Sequence, residues 1–350
     1  MPVAGRMLAL LVALALGWAA VWGGSALWSR AALAGWLEER RAAGWQAEWE
    51  GIALSGTPLM VRRRLTDPAL ADPEAGWAWQ APWLVLEGPG LGRGWLRVVW
   101  PAAQTLSGPD RRYGITADAL TADLAFAGGR ARPLSALALR ADALEVRDER
   151  GQSLAARELA LDLVAPEGGG PLGADAEGAS GGAGLAYDLQ LAATGLRPPA
   201  GWAEALARRG LAPERMERVT ADLSFVLAAP LDRRALEAGR PPLEALRIRE
   251  IGARWGALDL RLAGRLRADA QGLAEGDLTV QATNWREILA LSRQTGLLPE
   301  SLAGGIEGAL SVIAGLSGRP ETLDIPVTFR DGRTRLGPLP LGPAPPLRLP

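Results

Sequence analysis

The chain has 350 residues, enough for a sizeable core, and its 38 positive charges are all arginine, set against 39 acids. That near-balance argues against the basic face or stripe on which nucleic-acid binding depends. With neither Cys nor His, the chain has no disulfides, no thiolate nucleophile, no Cys or His metal site and no ordinary neutral-pH general base.

Residues 7–28, MLALLVALALGWAAVWGGSALW, carry no charge and lie between Arg6 and Arg30. At about 1.5 Å per residue the run reaches about 30 Å, the depth of a bilayer's hydrocarbon core. This predicts a transmembrane helix within residues 1–29, read as an uncleaved signal anchor. The alternative is a cleaved signal peptide with Gly23-Gly24-Ser25-Ala26 as its small-residue site. Arginines flank both ends, so the positive-inside rule does not choose an orientation. The character of the body points to a single-pass inner-membrane protein whose body is periplasmic. Residues 30–44 predict a juxtamembrane helix, with Leu33, Trp36 and Leu37 on one face.

The body is expected to be mainly β, a large antiparallel amphipathic sheet in two similar halves with a few short helices. A first half spans residues 45–165, a Gly-rich linker 166–184, a second half 185–336 and a Pro-rich tail 337–350. The apolar residues alternate along Leu120–Phe126, Leu159–Leu163, Leu185–Leu191, Val219–Leu227, Leu258–Leu262, Leu278–Ala282 and Leu323–Phe329. A period of two with one apolar face marks half-buried antiparallel strands. Thr121–Phe126 and Thr220–Phe225 echo one another with one mismatch. Residues 284–296 predict a helix with Asn284 as N-cap, Glu287 in a capping box and Gly296 as the stop. Shorter helices are expected over 202–210 and 232–239, and the tail is expected to run as an extended arm.

Eleven of the 14 tryptophans fall in the first hundred residues. Trp77 and Trp79 share a strand face, and Pro82 ends the run. Trp36, Trp45, Trp77, Trp79 and Trp83, with Arg62, Arg63 and Arg64, are the candidate lipid- or membrane-contact residues. The alternatives are a Trp-rich core and, for the arginines, a solvated strand edge.

Catalytic patterns are missing. A P-loop requires Lys, a Ser–His–Asp triad requires His, and Gly88, Gly90, Gly92 and Gly94 fit a hairpin better than a phosphate loop. Asp118 and Asp123 fall on opposite faces of a continuous strand. Asp67, Asp72 and Glu74 are oxygen donors of the kind calcium takes, but Asp67-Pro68 and Asp72-Pro73 are more simply turn starts. No catalytic residue, cofactor or metal is expected, and the chain is not expected to be an enzyme.

The segments GWAWQAPWLVLE, RVVWPAAQTL and LDIPVTFRDGRTRLGPLPLGPAP resemble the proteobacterial domain-of-unknown-function family 2125. The resemblance runs from about Trp36 to Pro345, with Trp77/Trp79, Trp100-Pro101 and Asp331-Gly332 as markers. It implies an N-terminal anchor and an envelope location, and it transfers no catalytic residue. A looser, architectural likeness is to AsmA-like envelope proteins, which join one N-terminal helix to a long amphipathic sheet and are implicated in moving lipid between membranes. The expected function is therefore a membrane-anchored envelope protein without catalysis, binding or passing lipid or another hydrophobe along an apolar β groove. The alternative is a structural or protein-interaction component of the envelope with a closed β core.

Overall fold

The structure, a computed structural model, describes residues 24, 27, 30–57, 60–89, 94–128, 133–166, 185–197, 215–232, 235, 241–294, 300–317, 321–337 and 339–348. The expected membrane helix over 7–28 lies outside them, apart from Gly24 and Leu27, both helical. Among the described residues no helix is long and apolar enough to cross a membrane. A helix, α1, runs over 30–42.

Beyond α1 the described residues are mainly β, and the twenty strands among them belong to one sheet. In the first part of the body the strands come as in-line pairs: β1 (Gln46–Glu48) and β2 (Gly51–Thr57), β3 (Met60–Thr66) and β4 (Ala69–Asp72), β5 (Trp77–Gln80) and β6 (Trp83–Gly88). The pattern continues with β7 (Trp95–Val99) and β8 (Ala103–Ser107), then β9 (Arg112–Thr116) and β10 (Ala119–Phe126). Each pair behaves as one long bent strand. In β11 (Leu134–Asp148), residues 134–142 bond to β10 and residues 145–148 to β9. Likewise β3 and β4 face β6 and β5, which in turn face β7 and β8.

Single long strands follow: β12 (Ser153–Val164), β13 (Leu185–Leu196), β14 (Met216–Leu227), β15 (Leu243–Trp255), β16 (Leu258–Ala268) and β17 (Ala274–Thr283). β18 (Thr322–Arg330), β19 (Arg333–Leu336) and β20 (Leu339–Pro343) complete the sheet. Every long strand is antiparallel to its neighbours in sequence, from β12 on β11 through to β20 on β19. The ladder is an open meander: no pairing joins β1 or β2 to β20 among the described residues. β12 and β13 pair directly from Glu158 to Val164, so the sheet runs without a break past the Gly-rich stretch, whose residues 167–184 lie outside the described set.

A seam crosses the strands at one level. The in-line pairs bend at 49–50, 67–68, 81–82, 100–102 and 117–118, and the ladder continues across through Asp67 N–H to Pro82 O, Ala117 N–H to Ala102 O and Asp118 N–H to Asp142 O. On β11 the bend falls at Ala143, which is skipped in the pairing and has φ +50°, and on β13 at Gly195, φ +58°. The left-handed backbone there turns the strand and resets which residues face which side, while the pairing keeps its register, Asp142 on Glu158 and Leu144 on Ala156. Thus Leu137, Leu139 and Ala141 share a face with Leu144 and Val146 across the bend, a change from odd to even positions. Pro68, Pro82 and Pro101 lie on this line, where a strand tolerates a missing N–H.

Helices cover the two ends of the apolar face. At one end Leu37 of α1 packs on Ala47 and Leu65, with Ile52, Leu84 and Leu86 around them. At the other, α2 (Trp285–Gln294) and α3 (Glu300–Ser317) cover the last strands. Trp285 of α2 and Ile306, Leu310 and Ala314 of α3 are buried with Ala282, Leu323 and Ile325. The spacing of four is what makes α3 a helix despite its glycines, each of which costs up to about 1 kcal/mol relative to Ala. Its exposed side carries Gly304, Gly305, Gly308 and Gly315.

Several expectations are corrected. The helix after Asn284 forms, but not through a capping box. Asn284 has φ +55°, its N–H goes to Glu321 O, and its side-chain amide donates to Ala257 O. The Pro-rich tail is not wholly an extended arm: β20 pairs with β19, and only then do residues 344–348 run on beside β17, with a bridge from Pro346 to Leu273. Pro340 and Pro343 are tolerated because β20 is an edge strand. Gly296, residues 202–210 and most of 232–239 lie outside the described residues.

Candidate functional site

The sheet's two faces differ in chemistry along their whole width. Following cross-strand partners on one face, a row starts at Leu54 of β2 and passes to Arg63, Leu86, Val98 and Ala122. It continues through Leu139, Leu161, Leu191 and Ala221. It then crosses Ile251, Leu262 and Val280 and ends on Ile325 of β18. Neighbouring strands lie about 4.8 Å apart, so the row is on the order of 60 Å long. Val98, Ala122 and Ile325 are buried, while the stretch from Leu139 through Val280 is half-buried. Towards one side of the strands the same face closes into a core of Leu163, Tyr187, Phe225, Leu227 and Leu243, where the Tyr187 and Phe225 rings stack at 5.6 Å. Leu231 N–H donates to the Tyr187 hydroxyl at 3.0 Å, and burial raises that phenol's pKa.

The opposite face is a ladder of ion pairs. Its row runs Ser55, Arg62, Glu87, Arg97, Asp123 and on to Asp162, Gln190 and Asp222. Arg62 Nε donates to Glu87 at 2.7 Å, Arg97 grips Asp123 through both carboxylate oxygens at 2.6 and 2.9 Å, and Arg140 meets Asp162 at 2.6 Å. The Arg97 hydrogen bond lowers the Asp123 pKa. Arg249, at the bulge of β15, bonds Asp222, Asp188 and the buried Ser224, whose hydroxyl donates to Asp188. The echo between residues 121–126 and 220–225 is thus a repeated face pattern. In each, the Asp meets an Arg on the polar side while the Leu joins the apolar side.

The expected contact residues are divided between these faces. Trp36 of α1 is 37% exposed, and the buried Arg40 lies between its ring and that of Trp45, at 6.0 and 5.7 Å. Trp45 meets Trp77 edge-on at 5.3 Å, and the Trp79 indole donates to the buried Gln104 at 2.6 Å. Trp83 lies across the seam from them with the polar-face residues, under the Arg64 guanidinium at 4.6 Å. The three arginines form neither one patch nor a strand edge, because β3 is bonded on both sides by β2 and β6. Arg62 and Arg64 go to the polar face. Arg63 shares the apolar face with the buried Val61 and Leu65. It donates to Val61 O at 3.3 Å and Pro89 O at 3.4 Å, and burial lowers its pKa. The signal for this was in the strand's phase: Val61-x-Arg63-x-Leu65 puts the middle arginine with its apolar neighbours.

Asp72 does open a turn, accepting the N–H groups of Glu74 and Ala75. Asp67, at φ +45°, instead marks the seam. No group of three or more acids is placed to hold a metal ion among the described residues. Two hollows of about 310 and 450 Å³ lie beside the seam on β4, β5, β8 and β9, lined in large part by polar groups such as Gln80 and Thr105.

Fold and faces together define the class: an open antiparallel meander with one continuous apolar face capped by helices at its ends. The chain belongs to the family described as "Uncharacterized protein conserved in bacteria (DUF2125)", whose model matches residues 22–345. No curated protein and no solved structure matches the chain.

Proposed function

We propose that this is an envelope protein, tethered to the inner membrane by residues 7–28 with its body in the periplasm, that holds or passes lipid along the apolar row of its sheet. The observation that carries the reading is the row from Leu54 to Ile325, apolar at all but one position and only half-buried from Leu139 to Val280. A wide apolar surface needs a cover, and among the described residues the helices that pack on it, α1, α2 and α3, lie at its ends. Lipid chains are a cover of matching length and chemistry. The exposed Trp36, about two turns beyond the expected span, suits an interfacial anchor, and the Trp45–Trp77 pair would sit at the membrane-proximal end of the row.

Photo-cross-linking in the intact cell envelope tests this. A benzophenone side chain placed at Leu161 or Leu191 of the full chain is expected to capture lipid, and the same group at Asp162 or Gln190 is not. Capture of protein alone from both faces would replace lipid handling with an interaction role in the envelope.

A further inference from the structure

Arg63 is the one charged member of the apolar row among the described residues, and it stands next to the row's first residue. Its cross-strand partners are Leu54 and Leu86, and on its own strand Val61 and Leu65 share its face. Burial lowers its pKa, yet an arginine keeps its charge. A cation at the start of a row that is otherwise hydrocarbon has the pattern of an amphiphile's complement: a charged end, then a long apolar track. We infer that Arg63 fixes the polarity of the bound lipid, receiving the phosphate of an anionic diacyl phospholipid while the acyl chains run over the half-buried Leu96 of β7 and Leu124 of β10 towards β11. This rests on the lipid-handling reading and adds to it a headgroup class and a direction.

The geometry favours a phosphate at this position. A guanidinium presents a planar fork of donors that matches phosphate oxygens two at a time, and in a half-buried apolar setting such a contact is screened less than at an open surface. The position is also structured. The guanidinium reaches the carbonyls of Val61 and Pro89, so the side chain is directed towards the end of the β3–β6 ladder at Gly88 and away from the α1 contact at Leu65. Arg62 and Arg64 cannot substitute, because the pleat sends both to the other side, onto Glu87 and Trp83.

The test uses the full chain in detergent micelles with two photoactivatable phospholipids that carry the same diazirine acyl chain, one a phosphatidylglycerol and one a phosphatidylcholine. The expected result is several-fold more labelling by phosphatidylglycerol. In Arg63→Gln that labelling falls to the phosphatidylcholine level, in Arg63→Lys most of the preference survives, and in Arg64→Gln it is unchanged. If Arg63→Gln does not fold, the wild-type ratio and the Lys variant still decide. Equal labelling by the two lipids in the wild-type chain would overturn the role of Arg63 and leave the groove standing. No labelling by either would overturn both.

Discussion

The two faces of this sheet are made by the same strands, often by adjacent residues, and they are stabilised differently. Leu191 and Gln190 are neighbours in β13, yet one meets Leu161 and Ala221 and the other Asp162 and Asp222. On the apolar side the stabilisation scales with the area removed from water. On the polar side it consists of exposed charge pairs, each worth a few tenths of a kcal/mol and weakened by salt. A wide meander can therefore keep one face soluble at little energetic gain while the other supplies the cohesion and the exposed hydrocarbon.

That asymmetry can be broken most severely at Tyr187. Replacing this fully buried ring by Ala removes the stack on Phe225 and the acceptor for Leu231 N–H. The loss should be about 3–5 kcal/mol, read from the denaturant midpoint of the full chain in detergent. A paired change sharpens the contrast. Leu191→Asp puts a charge into the half-buried apolar row and should cost about 2–3 kcal/mol, whereas Gln190→Lys, one residue away and between Asp162 and Asp222, should stay within about 0.5 kcal/mol. Similar losses for both would mean that the faces are not distinct.

The smallest effect concerns acid. The Arg97 hydrogen bond holds the folded Asp123 pKa below its unfolded value, so its contribution is present above the unfolded pKa. It is lost as pH falls through the folded one. Asp123→Asn should lower neutral-pH stability by about a few tenths of a kcal/mol and make the acid limb of the stability profile slightly shallower, the difference vanishing in acid and shrinking with added salt.

The alternation that reveals β13, β14 and β18 in the sequence is readable because each of those apolar faces keeps one phase from end to end. The first part of the body is harder to read because the seam resets the phase. Val61, Arg63 and Leu65 face the apolar side at odd positions, and Leu70, beyond Pro68, does so at an even one. A fixed period of two loses the strand there, and Asp67-Pro68 then looks like a turn. The helix α3 was hidden for another reason. Its glycines carry weak helical preference, and only packing against Leu323 and Ile325 makes the segment helical. The row itself is a property of register between strands, which a single sequence does not contain until the pairings are known.

The meander also bears on how the molecule is assembled. Because every long strand bonds only to the strands just before and after it in the chain, loops are closed one at a time and their entropic cost is met in small instalments. Each new hairpin lays itself against a finished edge, much as repeats add to a solenoid. Such a sheet can grow from its first strand outwards while the rest of the chain is still being delivered, with no strand waiting for a distant partner.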